Sequence, residues 1–230
     1  MVMRVVGIAL AVIVALIVVG AYAVFKPGPQ ASAPIASVAV DAPVATADTT
    51  TTRRFEIQPG ESQARFVIDE VLQGAPKTVV GSTNQVAGQI ALDPTDLDTA
   101  QVGTILINAR TIVTDSEQRN RMIQNRILET SQHEYISFQP KQLVGLPDGA
   151  PAGQAVPIKI VGDLTIKGIT HEVTFDATVT PASTDRLQGS AATTIRYADW
   201  GISIPQVPIV AGVADQAQLQ LDFVATVATA

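Results

Sequence analysis

The sequence predicts an all-β domain: an antiparallel barrel of about eight strands, with one inserted helix, set behind an apolar N-terminal helix that can span a membrane. Three observations predict it. Apolar and polar residues alternate with period two through most of the chain after residue 53, which is the mark of strands with one face in a core. One stretch alone, near residues 116–132, changes to helical spacing. Ahead of both, residues 5–25 carry no charge at all.

The apolar run comes first in the chain. VVGIALAVIVALIVVGAYAVF is preceded by Arg4 and followed by Lys26-Pro27. At about 1.5 Å per residue, some 20 apolar residues cross a hydrocarbon layer about 30 Å thick. Two readings stand. A permanent anchor is favoured because the run exceeds the apolar core usual for a secretory signal. A cleaved signal is favoured by Ala21-Tyr22-Ala23, a small-x-small cleavage pattern. Both place the rest of the chain outside the cytoplasm, membrane-anchored on the extracytoplasmic side or secreted after cleavage. The chain has no cysteine, which excludes a thioether-linked lipid anchor, a disulfide framework and a thiolate metal site.

Residues 1–26 are therefore read as anchor or signal. Residues 27–52, rich in Pro, Ala, Ser and Thr without a sustained period, are read as a disordered linker. Residues 53–230 are long enough for one domain with a sizeable core. The formal net charge of −6 argues against nucleic acid as a partner.

Strands follow in order. Ala64, Phe66 and Ile68 share one face; Val86, Gly88, Ile90 and Leu92 share another strand's apolar parity. Ile105 and Ile107 mark a third strand, Ile136 and Phe138 a fourth, and Ile158, Ile160, Leu164 and Ile166 a fifth. Val173, Phe175, Ala177 and Val179 alternate with polar neighbours, as do Leu219, Leu221, Phe223 and Ala225. Between them, Asp115 or Ser116 is placed to cap a helix carrying Met122, Ile123 and Ile127. Many short alternating strands make a sandwich or a barrel, and one apolar face per strand suits an antiparallel barrel wide enough for one small ligand.

Four stretches resemble the YceI-like family. Val161-Gly162-Asp163-Leu164-Thr165-Ile166-Lys167-Gly168-Ile169-Thr170-His171-Glu172-Val173 is similar to its hairpin motif. Phe55-Glu56-Ile57 with residues 62–66 resembles its opening strand, Arg119-Asn120-Arg121-Met122-Ile123 with Ile127-Leu128 its helix, and Tyr197-Ala198-Asp199-Trp200-Gly201-Ile202 its late turn. Two places depart: Asn120 stands where the family usually has Asp, and His133-Glu134 where it often has Tyr-Pro. The resemblance implies a lipocalin-like extended barrel that binds a long apolar molecule, such as a polyisoprenoid, an isoprenoid quinone or a fatty acyl chain, in the cell envelope.

The candidate ligand-binding residues are Phe66, Ile68, Ile90, Ile136, Phe138, Ile160, Leu164, Phe175 and Phe223, all on the apolar parity of their strands. The same residues could instead fill a solid core, leaving a stalked interaction module. No catalytic, metal or cofactor constellation is read: there is no G-x-S-x-G elbow, Gly-rich phosphate loop or H-E-x-x-H. His133 and His171 are read as surface or structural residues, Asp163 as a turn or backbone cap, Arg119, Arg121 and Arg126 as a solvated helix face, and Trp200 and Tyr197 as packing at a barrel end. A homodimer is left open.

Overall fold

The computed structural model describes residues 26–35, 52–93, 96–147, 149, 152–205 and 210–228. The apolar run at 5–25 and residues 36–51 of the expected linker lie outside the described residues. Among the described residues, no helix is long and apolar enough to cross a membrane.

Alternating sequence becomes alternating burial. β1 (Arg53–Ile57) buries Phe55 and Ile57 and leaves Arg53 and Arg54 exposed. A 3-10 turn at Pro59–Glu61 bends the chain into β2 (Gln63–Leu72). β3 (Ala75–Thr83) returns antiparallel to β2 through Gln73-Gly74, both at positive φ, the conformation that suits a two-residue hairpin turn to the strands' twist. β4 (Val86–Ala87) and β5 (Gln89–Asp93) are separated only by Gly88. β6 (Asp96–Val102) and β7 (Ile105–Asn108) follow, then helix α1 (Glu117–Met122), which runs on as a π-turn over Ile123–Ile127. β8 (Tyr135–Val144), β9 (Val156–Ile166), β10 (Ile169–Ser183) and β11 (Arg186–Arg196) form a meander. β12 (Val210–Val213) and β13 (Gln216–Val227) end the domain.

The strands make one curled antiparallel sheet. Hydrogen-bonded neighbours lead from β4 through β7, β8, β9, β10, β11 and β13 to β1, β5 and β6. Because β4 continues into β5, a single stretch of chain pairs with β7 at one end and with β1 at the other. β13 is shared in the same way, its first half pairing with β2 and its last residues with β1. β2 also carries β3 and β12. Among the described residues the expected eight strands are thus thirteen segments, because kinks near Gly88 and Pro59 divide long strands and because β3, β6, β11 and β12 carry weak period-two signals.

The concave face of the sheet holds the core. Phe55, Val86 and Ala225 are almost wholly buried, and Trp200 closes one end, donating from Nε1 to the Leu164 carbonyl at 3.1 Å. His171 lies edge-on to the Trp200 ring at 4.9 Å and donates from Nε2 to the Asp199 carbonyl at 3.0 Å. Lys167 and Gly168, both at positive φ, make the tight turn from β9 to β10.

Residues 26–35, all but Lys26 of them in the expected disordered linker, pack against the domain. Ile35 is 1% exposed and shares a small core with Ala87, flanked by Leu106 and Tyr135. Ser32 donates from its backbone N–H (2.8 Å) and its hydroxyl (2.6 Å) to Glu134. The low-complexity composition of the stretch hides these two anchoring residues.

Candidate ligand cavity

The inner face of the sheet does not fill. Its side chains line a partly open cavity of about 530 Å³, within the range of pockets that bury small ligands. All nine residues selected on strand parity line it: Phe66, Ile68, Ile90, Ile136, Phe138, Ile160, Leu164, Phe175 and Phe223. Ala177 does not. It is buried between Ile158 and Ala191 in register, and those two reach the cavity where it does not.

The cavity exists because aromatic rings lie along its walls. Phe66 faces Gly81 across the β2–β3 pair, and Phe223 faces Gly189 across β11–β13. Each ring crowds the place where a β-carbon of the glycine would stand; at Gly189 that atom would come within 2.8 Å of the Phe223 ring and within 2.4 Å of the Thr178 carbonyl. Phe138 covers Gly162 on β9 in the same way, also at 2.8 Å. Its ring meets that of Phe175 edge-to-face, 4.9 Å between centroids and 63° between planes, a favoured aromatic geometry. With three large rings laid over glycines, the volume they would otherwise take stays open.

The helix covers one side. Met122, Ile123, Ile127 and Leu128 all reach the cavity. The change from α to π spacing, in which Leu128 N–H donates to the Ile123 carbonyl at 2.8 Å, adds a residue to the turn and re-aims its side chains; such bulges recur at functional sites.

One part of the lining is polar. Glu70 lies on the same parity of β2 as Phe66 and Ile68, and so points a carboxylate inward. Its side chain is 8% exposed, and Arg119 meets it at 3.0 Å. A charge so buried needs a partner. Arg119 also pairs with Asp115, which Lys77 contacts at 2.7 Å. The hydrogen bond from Lys77, reinforced by the Arg119 charge, holds the Asp115 carboxyl below its ordinary value. Ser116, Gln118, Arg65 and Gln220 add further polar groups to the lining. Arg119 is therefore not on a solvated face as expected, whereas Arg126 is exposed and Arg121 reaches Glu117 at 3.7 Å. The readable signal for Glu70 was an acid on the apolar parity of a strand.

Other candidates lie elsewhere. Asp163, expected to set a turn, sits within β9 and pairs with Lys141 at 2.6 Å; Lys141 also meets Glu172 at 3.2 Å. Those two acids raise the Lys141 pKa. Trp200 packs at the end of the core as expected, and Tyr197 lines the cavity. Among the described residues, no cluster of three or more His, Asp or Glu is placed to hold a metal ion.

Comparison with known proteins agrees with this architecture. A UPF0312 protein of Staphylococcus aureus strain N315 is 26% identical over 165 residues, which is 69% of this chain and 88% of the relative. Among solved structures, BcnA of Burkholderia cenocepacia superposes with a TM-score of 0.58 at 18% identity, covering 74% of this chain and 99% of that one. A polyisoprenoid binding domain of Saccharophagus degradans gives 0.58 at 11% identity, covering 76% and 98%. At these identities the structural likeness speaks for the fold. The family model of the YceI-like domain matches residues 55–225. That match takes in most of the curled sheet, the helix and the cavity, and by it the chain belongs to the YceI-like domain family.

Proposed function

We propose that this protein is a cell-envelope binding protein that encloses one long apolar chain, a polyisoprenoid, an isoprenoid quinone or a fatty acyl chain, for storage or transport. The observation that carries the reading is the open apolar cavity of about 530 Å³, kept free by phenylalanine rings laid over glycines. A domain evolved only as a rigid module gains nothing from such a void, since each buried void forfeits packing energy. Filling it with an apolar chain recovers roughly 0.8 kcal/mol per buried CH₂, so affinity comes from burial and needs little hydrogen bonding.

Support for the class of ligand comes from family membership and from the neighbour in Saccharophagus degradans described as a polyisoprenoid binding domain. The reading is of binding, not catalysis. The apolar run at residues 5–25 supports placement at the membrane, with the domain on the extracytoplasmic side. Organic extraction of protein purified from its native host, followed by mass spectrometry, tests the function. A stoichiometric isoprenoid or acyl species is expected. Extracts no different from those of a non-binding control protein purified alongside would favour the alternative, a stalked interaction module without ligand.

A further inference from the structure

The apolar run ends at Phe25, and the next residue already touches the domain. Asn125, in the π-turn, donates its side-chain N–H to the Lys26 carbonyl at 2.9 Å. Gly28 lies so close to Gln124 that a β-carbon there would collide with it. Arg110 donates to the Gln30 carbonyl at 3.1 Å and to the Ser32 hydroxyl at 2.7 Å. Ser32 binds Glu134, and Ile35 closes the series in its own small core. Contacts from both ends of a ten-residue stretch, made to the helix and to strands β4, β7 and β8, fix it as a strap.

These contacts gather at one pole of the domain. The turn from β9 to β10 is there, tied to the helix end by Lys167–Glu129 at 2.8 Å. β10 then runs 15 residues, up to about 50 Å at 3.3 Å per residue, to the opposite turn near Thr184. The helix at that pole also lines the cavity, through Met122, Ile123, Ile127 and Leu128.

We propose that residues 26–35 are a strap that holds the helix-covered pole, and with it the helix-lined side of the cavity, at the surface of the lipid bilayer. The proposal rests on reading residues 5–25 as a membrane span. A flexible linker of about 26 residues would let the domain roam by about 28 Å root-mean-square. Docking at Lys26 removes that slack, since a single residue reaches only about 3.5 Å. An apolar chain then passes between acyl layer and cavity with little exposure to water. Lys26 and the exposed Arg126 suit the anionic head groups at that surface.

The absence of cysteine allows a direct test on the full chain. Single cysteines are introduced by Arg126→Cys and Thr184→Cys and labelled with a fluorophore. The protein is reconstituted in phosphatidylcholine–phosphatidylglycerol vesicles carrying a head-group nitroxide lipid. Quenching at position 126 is expected to exceed that at 184 by about threefold or more, because nitroxide quenching acts only near contact and β10 sets the two positions up to about 50 Å apart. Two variants should each abolish that difference: Ile35→Asp combined with Ser32→Ala, which releases the strap, and a ten-residue Gly/Ser insertion after Phe25, which leaves the strap docked and adds slack. Equal quenching at both positions in a vesicle-bound chain would overturn the strap. A chain that does not sediment with the vesicles would overturn the proposal through its anchor instead.

Discussion

The ring of Phe223 lies against Gly189, its partner across the β11–β13 pair, so closely that a β-carbon on the glycine would stand 2.8 Å from it. The contact holds a large side chain flat on the wall of the cavity. It also makes the glycine a determinant of cavity volume. A β-carbon there would also meet the Thr178 carbonyl at 2.4 Å, so Gly189→Leu is expected to force β10 and β11 apart as well as push the ring into the cavity. A loss of about 1–3 kcal/mol is expected, read as a lower midpoint in urea unfolding, with less apolar ligand retained on purification. Unchanged stability and ligand content would show that neither the ring nor the Thr178 carbonyl crowds this position.

Arg119 and Glu70 should behave as a pair. Arg119→Ala strands a carboxylate that is 8% exposed, and a loss of about 3 kcal/mol is expected. Replacing both, as Arg119→Met with Glu70→Leu, should restore most of that loss, because apolar residues of similar volume often match a buried ion pair. Denaturant unfolding of the single and double variants checks the coupling. Simple additivity would mean that the two side chains act independently.

Glu134 gives the strap a dependence on pH. Burial raises its pKa, but hydrogen bonds from the Ser32 hydroxyl and amide and from Asn108, with the Arg110 charge, outweigh burial and leave it below the ordinary glutamate value. A carboxyl lowered in the folded state contributes stability above its unfolded pKa, about 4.3, and loses it as pH falls through the folded value. Wild type should therefore exceed Glu134→Gln in melting temperature from neutral pH down to about pH 5, and the difference should shrink below about pH 4. The protection factor of the Ser32 amide, its exchange corrected for the intrinsic slowing of amide exchange in acid, should fall over the same range.

A chain begun at Arg53 should fold, yet melt below one begun at Lys26. The difference expected from Ile35 alone is about 1.5–3 kcal/mol, the value of burying one large aliphatic side chain. Equal melting points would show that the strap adds no stability.

Parity carried most of the fold and of the cavity into view. Phe66, Phe138, Phe175 and Phe223 each stand among alternating neighbours, and a strand that alternates can bury only one face. The strands that stayed hidden have physical reasons. β3 carries Pro76 and Gly81 and is an edge strand beside β2, with a single bridge from Ser82 to Val113 on its other side, a place that tolerates proline. β6 is acidic and, among the described residues, pairs only with β5. β11 uses small residues, Gly189 and Ala191, where a stronger signal would need large ones. The strap stayed hidden because Ser32 and Ile35 act through partners about 100 and about 50–100 residues away, which no local pattern reports.

The open cavity is the central claim, and Ala191 tests it most directly. This small residue lines the cavity beside the buried Ala177. Native mass spectrometry and thermal unfolding of wild type and Ala191→Phe, compared side by side, should show one apolar ligand per wild-type chain. They should show no ligand on the variant and a melting temperature within a few degrees of the delipidated wild type, because the new ring enters vacant space. A variant destabilised by about 1–3 kcal/mol, as overpacking of a filled core would cause, together with a wild type that carries no ligand, would contradict the account.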